Sequence, residues 1–266
     1  MKKTLLTITT IIWALMIHAQ NTMDIHPELL NELWPAKWIA DPEMTGEKEG
    51  VFLFKKVLTF KTAPNDYVIH ISADNRYILY VNGNVVTRGP ARGDLNRWLF
   101  ETVDIASYLI AVENHTAAKV WNMGQLKPVA QMSLTTDLII QGNTGKEKGI
   151  NTYKTWRVVV DRAWNFYRID HLKRYYASGP GEKFNGVPHP RNWKTSDSGI
   201  DWEQAKEGKN RMSWKSITRT GIADKRLLFP RTIPMMEARN QTFSAVTRTE
   251  GIDDATALTA GSKQNM

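Results

Sequence analysis

The chain has 266 residues, a formal net charge of +8 at pH 7, ten Trp and no Cys. Because Cys is absent, a disulfide framework and a lipid-modified cysteine anchor are excluded, and the core must supply the stability. The Lys and Arg residues form no run of five or more, which argues against nucleic acid as a partner.

The N-terminus has the pattern of a secretory signal peptide. Lys2 and Lys3 precede an apolar run from Leu5 to Ile17, and the small residue Ala19 suits cleavage by a signal peptidase. The run is shorter than the roughly 20 apolar residues that span a membrane. We therefore predict a signal peptide at residues 1–19, export to the periplasm or the extracellular space, and no membrane span after the signal is removed.

After the signal, we predict a lead-in at residues 20–33, a β-sandwich region at 34–246 and a disordered tail at 247–266. The lead-in holds a short helix over His26–Leu33, and the tail is polar without apolar periodicity. Short alternating apolar runs, separated by Gly, Pro, Asn and Asp, predict a mainly β, antiparallel sandwich with a few short helices. The predicted strands are Val51–Phe60, Tyr67–Ser72, Tyr77–Val81, Asn84–Thr87, Trp98–Val103, Ala117–Trp121, Gln131–Ile140 and Thr155–Val160.

Three local signals refine this order of elements. Asn82-Gly83 between two alternating runs predicts a hairpin with a type I′ turn, since both residues tolerate positive φ. Asp104 is placed to cap one helical turn that reaches Leu109. The Gly- and Pro-rich stretch Tyr175–Asn192 predicts a surface loop, and strand-like character returns at residues 201–205 and 227–234.

Six segments together resemble the N-terminal region of bacterial α-L-rhamnosidases, over about Trp34–Val246. They are Trp38-Ile39-Ala40, ADNRYILYVNG at 73–83, GPARGD at 89–94, AVENHTAAKVWN at 111–122, DWEQA at 201–205 and LLFPRTIPMM at 227–236. The resemblance implies an accessory sandwich of the jelly-roll, galactose-binding-like type. In that family hydrolysis belongs to a later helical (α/α)₆ barrel.

Such a barrel needs roughly 350 residues or more, and nothing helical of that extent follows Ile233. We therefore expect a family member truncated before its catalytic domain, and no catalytic residue can be carried over. The resemblance implies an exported, non-catalytic region that binds, or is a scaffold for, rhamnose-containing glycans beside a separate catalytic domain. A purely structural interface to that domain, without any ligand, stays open.

A small self-sufficient glycosidase is the alternative function. Glycoside hydrolysis needs an acid and a base or nucleophile facing one another across a cleft. Asp197, Asp201 and Glu203 are close in sequence, and strand alternation would place Asp201 and Glu203 on one face. The competing interpretation is a solvated turn with Trp202 as its buried anchor.

A polar break between two apolar runs supplies the candidate ligand-binding residues. Carboxylate, amide and guanidinium groups can pair with vicinal hydroxyls, and a Trp ring can stack on a sugar. The alternative is a simple turn whose arginines pair with nearby acids. The candidate residues are Asp74, Asn75, Arg76, Arg88, Arg92 and Asp94, with Trp98 or Trp121 as the stacking ring.

No metal or cofactor is predicted. The six His are scattered without the spacing of a zinc site, and the calcium-binding EF-hand pattern is absent. Calcium held by oxygen ligands from sandwich loops leaves no compact signature, so calcium stays open at this point. A nucleophilic triad also has no support, because the G-x-S-x-G pattern is missing.

Overall fold

A computed structural model describes residues 24–169, 179–212, 226–235 and 238. The predicted signal peptide at residues 1–19 and the predicted tail at 247–266 lie outside the described residues. The chain divides into two units, Met1–Arg231 and Thr232–Met266, and every strand described below belongs to the first. No helix of the described ranges has the length and apolar character to cross a membrane.

The described elements are short. The helix α1 spans Pro27–Asn31, and short 3-10 helices span Ala106–Tyr108, Gly124–Leu126 and Gly145–Ile150. The strands are β1 Leu33–Ala40, β2 Gly50–Phe60, β3 Val68–Ala73, β4 Arg76–Val81, β5 Asn84–Gly89, β6 Trp98–Asp104, β7 Val112–Asn122, β8 Leu138–Gly142, β9 Arg157–Val160, β10 Trp164–Tyr167, β11 Gly181–Phe184, β12 Glu203–Gln204, β13 Lys206–Met212 and β14 Leu228–Pro230.

Two six-stranded sheets form the fold. The first has the order β13-β1-β8-β3-β6-β14 and the second β12-β9-β2-β7-β4-β5, while β10 and β11 form a separate hairpin. Neighbouring strands pair antiparallel, except for β14 beside β6, which is parallel. The prediction of a mainly β, antiparallel sandwich is confirmed.

Apolar side chains fill the space between the two sheets and also cover both outer faces. Tyr77 and Leu79 of β4 point into the central core, whereas Ile78 and Tyr80 belong to the cluster on the outer face of the second sheet. A third cluster, around Trp34, packs on the outer face of the first sheet. Because each strand alternates its side chains, one sheet can serve two cores, and this arrangement uses most of the Trp residues.

The hairpin turn is confirmed, and the short helical turn is present at Ala106–Tyr108. Asn82 and Gly83 have φ of 51° and 82°, as a type I′ turn requires. The Asn82 side chain ties this turn to β7, because its amide oxygen accepts from the His115 N–H at 2.9 Å. Asp104 Oδ1 accepts from the Ala106 N–H at 2.9 Å, but the N-cap of the 3-10 turn is Ile105, so the predicted capping position is one residue too early.

The strand predicted over Gln131–Ile140 is wrong in its first half, because β8 begins only at Leu138. The backbone N–H groups of Leu134 and Thr135 donate to the Asp74 carboxylate instead of to a neighbouring strand. A buried acid thereby overrides the local β-propensity of this segment.

The sequence did not predict four of the strands, which are β1, β10, β11 and β13. The strand β1 contains Pro35, which reads as a break, but a proline is tolerated where no ladder N–H is needed. The strand β13 is polar throughout and lacks alternation. The strand β11 lies inside the stretch Tyr175–Asn192, which was predicted to be loop, and pairs with β10.

Candidate functional site

Three loops meet at one end of the sandwich and form a shallow depression. They join β3 to β4, β5 to β6 and β7 to β8. The depression encloses only about 20 Å³ of space, and the rest of it is open to solvent. Its lining includes Asn75, Ala91, Arg92, Trp98, Gln131 and Met132. Three of the predicted ligand-binding residues, Asn75, Arg92 and Trp98, are therefore brought together here.

Asp74 lies beneath this depression and is fully buried. Its carboxylate accepts from the Ser133 hydroxyl at 2.6 Å and from the backbone N–H groups of Leu134 and Thr135 at 2.7 and 2.9 Å. Burial raises the pKa of this carboxyl, and the Arg226 guanidinium and the hydrogen bonds oppose that rise. Asp74 thus fixes the β7–β8 loop and has no exposed surface for a ligand.

Asn75 occupies the left-handed turn that follows, with φ of 71°. Its side-chain nitrogen donates to Asn122 Oδ1 at 3.3 Å, and its backbone carbonyl accepts from Gln131 Nε2 at 3.1 Å. Its side-chain oxygen is buried and has no hydrogen-bond partner. A buried acceptor without a partner is unfavourable, so a donor that reached Asn75 would gain more here than at a solvated amide.

Glu101 shapes the Gly89–Asp94 loop and was missed by sequence reasoning. Its buried carboxylate accepts from the Tyr77 hydroxyl at 2.6 Å, the Ala91 N–H at 2.7 Å and the Arg231 guanidinium at 3.2 Å. Burial raises its pKa, while these donors favour the charged form. The available signal was a charged residue at an inward position of an otherwise apolar strand.

The two predicted stacking rings lie on opposite outer faces of the sandwich. Trp98 belongs to the cluster on the first sheet, is 5% exposed, and donates its indole N–H to the Ala73 carbonyl at 3.3 Å. Trp121 lies half-buried on the second sheet, directly opposite Arg76 in the neighbouring strand. Trp98 therefore offers the depression only a small part of its surface.

The remaining predicted residues do not line the depression. Arg88 is exposed on β5 and pairs across the ladder with Ile78, on the outer face of the second sheet. Asp94 is exposed and accepts from the backbone N–H groups of Asn96 and Arg97 at 2.7 and 3.0 Å, so it organises its own turn. Arg76 is half-buried, which lowers its pKa, and the nearby Arg92 charge lowers it further.

The acids of the alternative hypothesis are either exposed or held in ion pairs. Asp197 forms ion pairs with Lys55, at 3.0 Å, and with Arg157. Asp201 and Glu203 are exposed, and Trp202 between them is half-buried against the outer cluster of the second sheet. No group of three or more metal-ligating acids or histidines occurs in residues 24–169, 179–212 and 226–235.

Comparison with known proteins gives matches in structure. No family model and no curated protein sequence matches the chain. The GH78 family rhamnosidase of Bacillus sp. GL1 matches with a TM-score of 0.62 and 22% identity, over 76% of this chain and 20% of the enzyme. In fold, the chain resembles part of a rhamnosidase. It spans about a fifth of that enzyme's length.

Two further matches are weaker. The α-L-rhamnosidase from Dictyoglumus thermophilum gives a TM-score of 0.49 and 18% identity, over 66% of this chain and 21% of that one. The lectin of Pleurotus ostreatus gives a TM-score of 0.41 and 16% identity, over 67% of this chain and 43% of the lectin. The resemblance predicted from the sequence is confirmed as a resemblance in fold, and the rhamnosidase match in the first comparison carries it.

Proposed function

We propose that this chain is an exported, non-catalytic β-sandwich region of an α-L-rhamnosidase-like glycoside hydrolase, which binds rhamnose-containing glycans or is a scaffold for their hydrolysis. The depression at the loop end carries the proposal. It joins the exposed guanidinium of Arg92, which can donate to vicinal hydroxyls, to Asn75, whose side-chain oxygen is an acceptor without a partner, and to Gln131, and both amide side chains are almost fully buried in the wall.

The electrostatics of the loop end support binding rather than hydrolysis. Asp74 and Glu101 are both buried and both are used for internal hydrogen bonds. Each is tied to neighbouring loops, so neither is free to protonate a leaving group or to activate water. Export is supported by the signal-like residues 1–19, and the fold match to about a fifth of a rhamnosidase supports a separate catalytic domain as partner.

Calorimetric titration of the full mature chain with L-rhamnose tests the binding proposal. A shallow site with few hydrogen bonds should give a Kd near millimolar, which corresponds to a binding free energy of about −4 kcal/mol. Arg92→Ala should weaken binding several-fold, because Arg92 lines the depression. The matched control Arg88→Ala should leave binding unchanged, because Arg88 lies on an outer face. The absence of heat at tens of millimolar rhamnose would remove the binding proposal.

An assay with an aryl α-L-rhamnoside separates this proposal from the self-sufficient glycosidase. We expect no chromophore release by the purified chain above the buffer rate. Turnover that is abolished by Asp201→Asn or Glu203→Gln would establish the alternative and contradict the non-catalytic role.

A further inference from the structure

The outer face of the second sheet carries a group of basic side chains that the proposed function does not use. Arg76, Arg88, Lys119 and Lys194 make up this surface, which we call the cationic face. None of these four side chains makes a hydrogen bond or an ion pair with another residue in the part of the chain that the structure describes. By contrast, Lys55 and Arg157 on the same sheet are paired with Asp197.

Strand register places these charges on a compact grid. Lys119 of β7 lies opposite Ile78 of β4, which lies opposite Arg88 of β5, so all three share one row across the sheet. Arg76 and Trp121 form the next row. Strands are about 4.8 Å apart, so Lys119 and Arg88 are about 10 Å apart in their backbones.

Aromatic rings lie among these cations. The Lys119 ammonium lies 4.8 Å from the Trp164 ring centroid and 5.3 Å from that of Trp121, and the Lys194 ammonium lies 4.4 Å from that of Tyr80. Trp121 and Trp164 are only half-buried, so part of each indole faces solvent. An indole face packs well on the C–H face of a sugar ring.

The cations are also partly removed from water. Burial lowers the pKa of Lys119 and of Lys194, and the two ammonium groups lie near enough for Lys194 to lower the pKa of Lys119 further. Asp161 and Glu182 are the acids near Lys119 and oppose this effect. Asp161 is engaged with the Trp164 indole at 3.1 Å and with His189 at 2.8 Å. Burial is the largest cause of the lowered pKa at both lysines, and an anion arriving from solvent would offset that cost of desolvating the two ammonium groups.

We infer that the cationic face binds an acidic saccharide chain, in which sugar carboxylates pair with Lys119, Lys194 and the arginines while sugar rings pack on Trp121 and Trp164. This site is separate from the loop-end depression. The fold match to a rhamnosidase portion favours a saccharide.

Titration of the full chain at low salt with an oligogalacturonate tests the inference. The methyl ester of the same oligomer is the uncharged control ligand. The acid should bind and the ester should bind at least about tenfold more weakly. The double variant Lys119→Met, Lys194→Met should lose about tenfold in affinity, since it keeps the apolar stems and removes two charges. Lys119→Arg should retain binding.

Lys61→Met is the control, because Lys61 is exposed and lies outside the cationic face. It should bind like the wild type, and near-ultraviolet circular dichroism should show every variant folded. Equal affinity for acid and ester, or an unaffected double variant, would overturn the inference. So would binding of a single-stranded oligonucleotide or polyglutamate of the same charge as tightly as the oligogalacturonate. The double variant Lys119→Met, Lys194→Met should leave the rhamnose titration unchanged, because neither lysine lines the loop-end depression, and this keeps the two outcomes distinct.

Discussion

Single buried residues hold the two sheets and their loops in place through polar contacts. His70, on the outer side of β3, is an example. Its ring nitrogens lie 2.9 Å from Thr102 Oγ1 and from Asn143 Oδ1, and Trp34 and Phe100 pack against the ring. Burial lowers the pKa of His70 from 6.5 to about 4, although Asn143 and Glu147 favour the charged form.

The lowered pKa of His70 predicts a loss of stability in acid. Between about pH 6.5 and pH 4 the unfolded chain binds a proton at this site and the folded chain does not. The unfolding free energy should therefore fall as pH falls, by about 3 kcal/mol between pH 7 and pH 4 from this residue alone. Urea unfolding of the wild type and of His70→Gln at both pH values measures the difference. Parallel pH curves for the two proteins would contradict the assignment.

Asp74 gives a second prediction at this scale. Asp74→Asn would remove the buried negative charge that faces the Arg226 guanidinium and would replace the acceptor of the Asn122 amide with an NH₂ group, so it should lower the unfolding free energy by about 3 kcal/mol. Amide hydrogen exchange in residues 131–137 should also speed up, because Asp74 holds that loop. Asp94→Asn is the matched control and should cost less than about 0.5 kcal/mol, since Asp94 is exposed. Equal costs at both positions would refute the anchoring role.

For single residues, the sequence showed where the polar side chains are but not which of them are buried or which partners they bond. The break at residues 74–76 was visible as a change in polarity, and three of the predicted residues do line one depression. Whether a carboxylate faces inward or outward depends on partners distant in sequence. Ser133 is about 60 residues from Asp74, and Arg231 is about 130 from Glu101.

Among the elements, the loop from Gly89 to Asp94 depends on a close approach between two chain segments. A side chain on Gly89 would overlap the buried Glu101 carboxylate. Glu101 is held by three donors and cannot move freely. The absence of a side chain at residue 89 is therefore part of what lets this loop approach β6.

This contact predicts that Gly89→Ala should lower the unfolding free energy by about 2–3 kcal/mol through overpacking. Gly145→Ala should change it by less than about 1 kcal/mol, because a Cβ at Gly145 meets no atom within 4 Å. Thermal and urea unfolding of the two variants provide the comparison. A Gly89→Ala protein as stable as the Gly145→Ala protein would contradict this prediction, because it would show that the loop can shift to accommodate a side chain at residue 89.

The alternating strands could be predicted, and the polar or interrupted ones could not. Strands β2 to β7 are apolar runs rich in β-branched and aromatic residues and bounded by turn residues, and that pattern predicts strands whether one face or both are buried. Pro35 obscured β1, and the polar composition of β13 hid an edge strand whose pairing comes from β1. The loop at residues 131–137 reads as a strand by composition, and only the position of Asp74 decides otherwise.

For the whole molecule, two sheets share a central core while each carries a second aromatic cluster on its outer face. The high Trp content of the sequence was compatible with either a core or a sugar-binding surface. The structure uses Trp34, Trp38 and Trp156 as fully buried core, and leaves Trp121 and Trp164 half-exposed. Composition could not make that division, because it depends on which loops cover each face.

Nuclear magnetic resonance titration of the ¹⁵N-labelled mature chain with L-rhamnose tests the central claim most directly. We predict saturable amide shifts with a Kd near millimolar, confined to the loops at residues 74–76, 89–98 and 123–137 and reduced by Arg92→Ala. No shifts at tens of millimolar, or shifts centred on Asp201 and Glu203, would contradict a sugar-binding loop end.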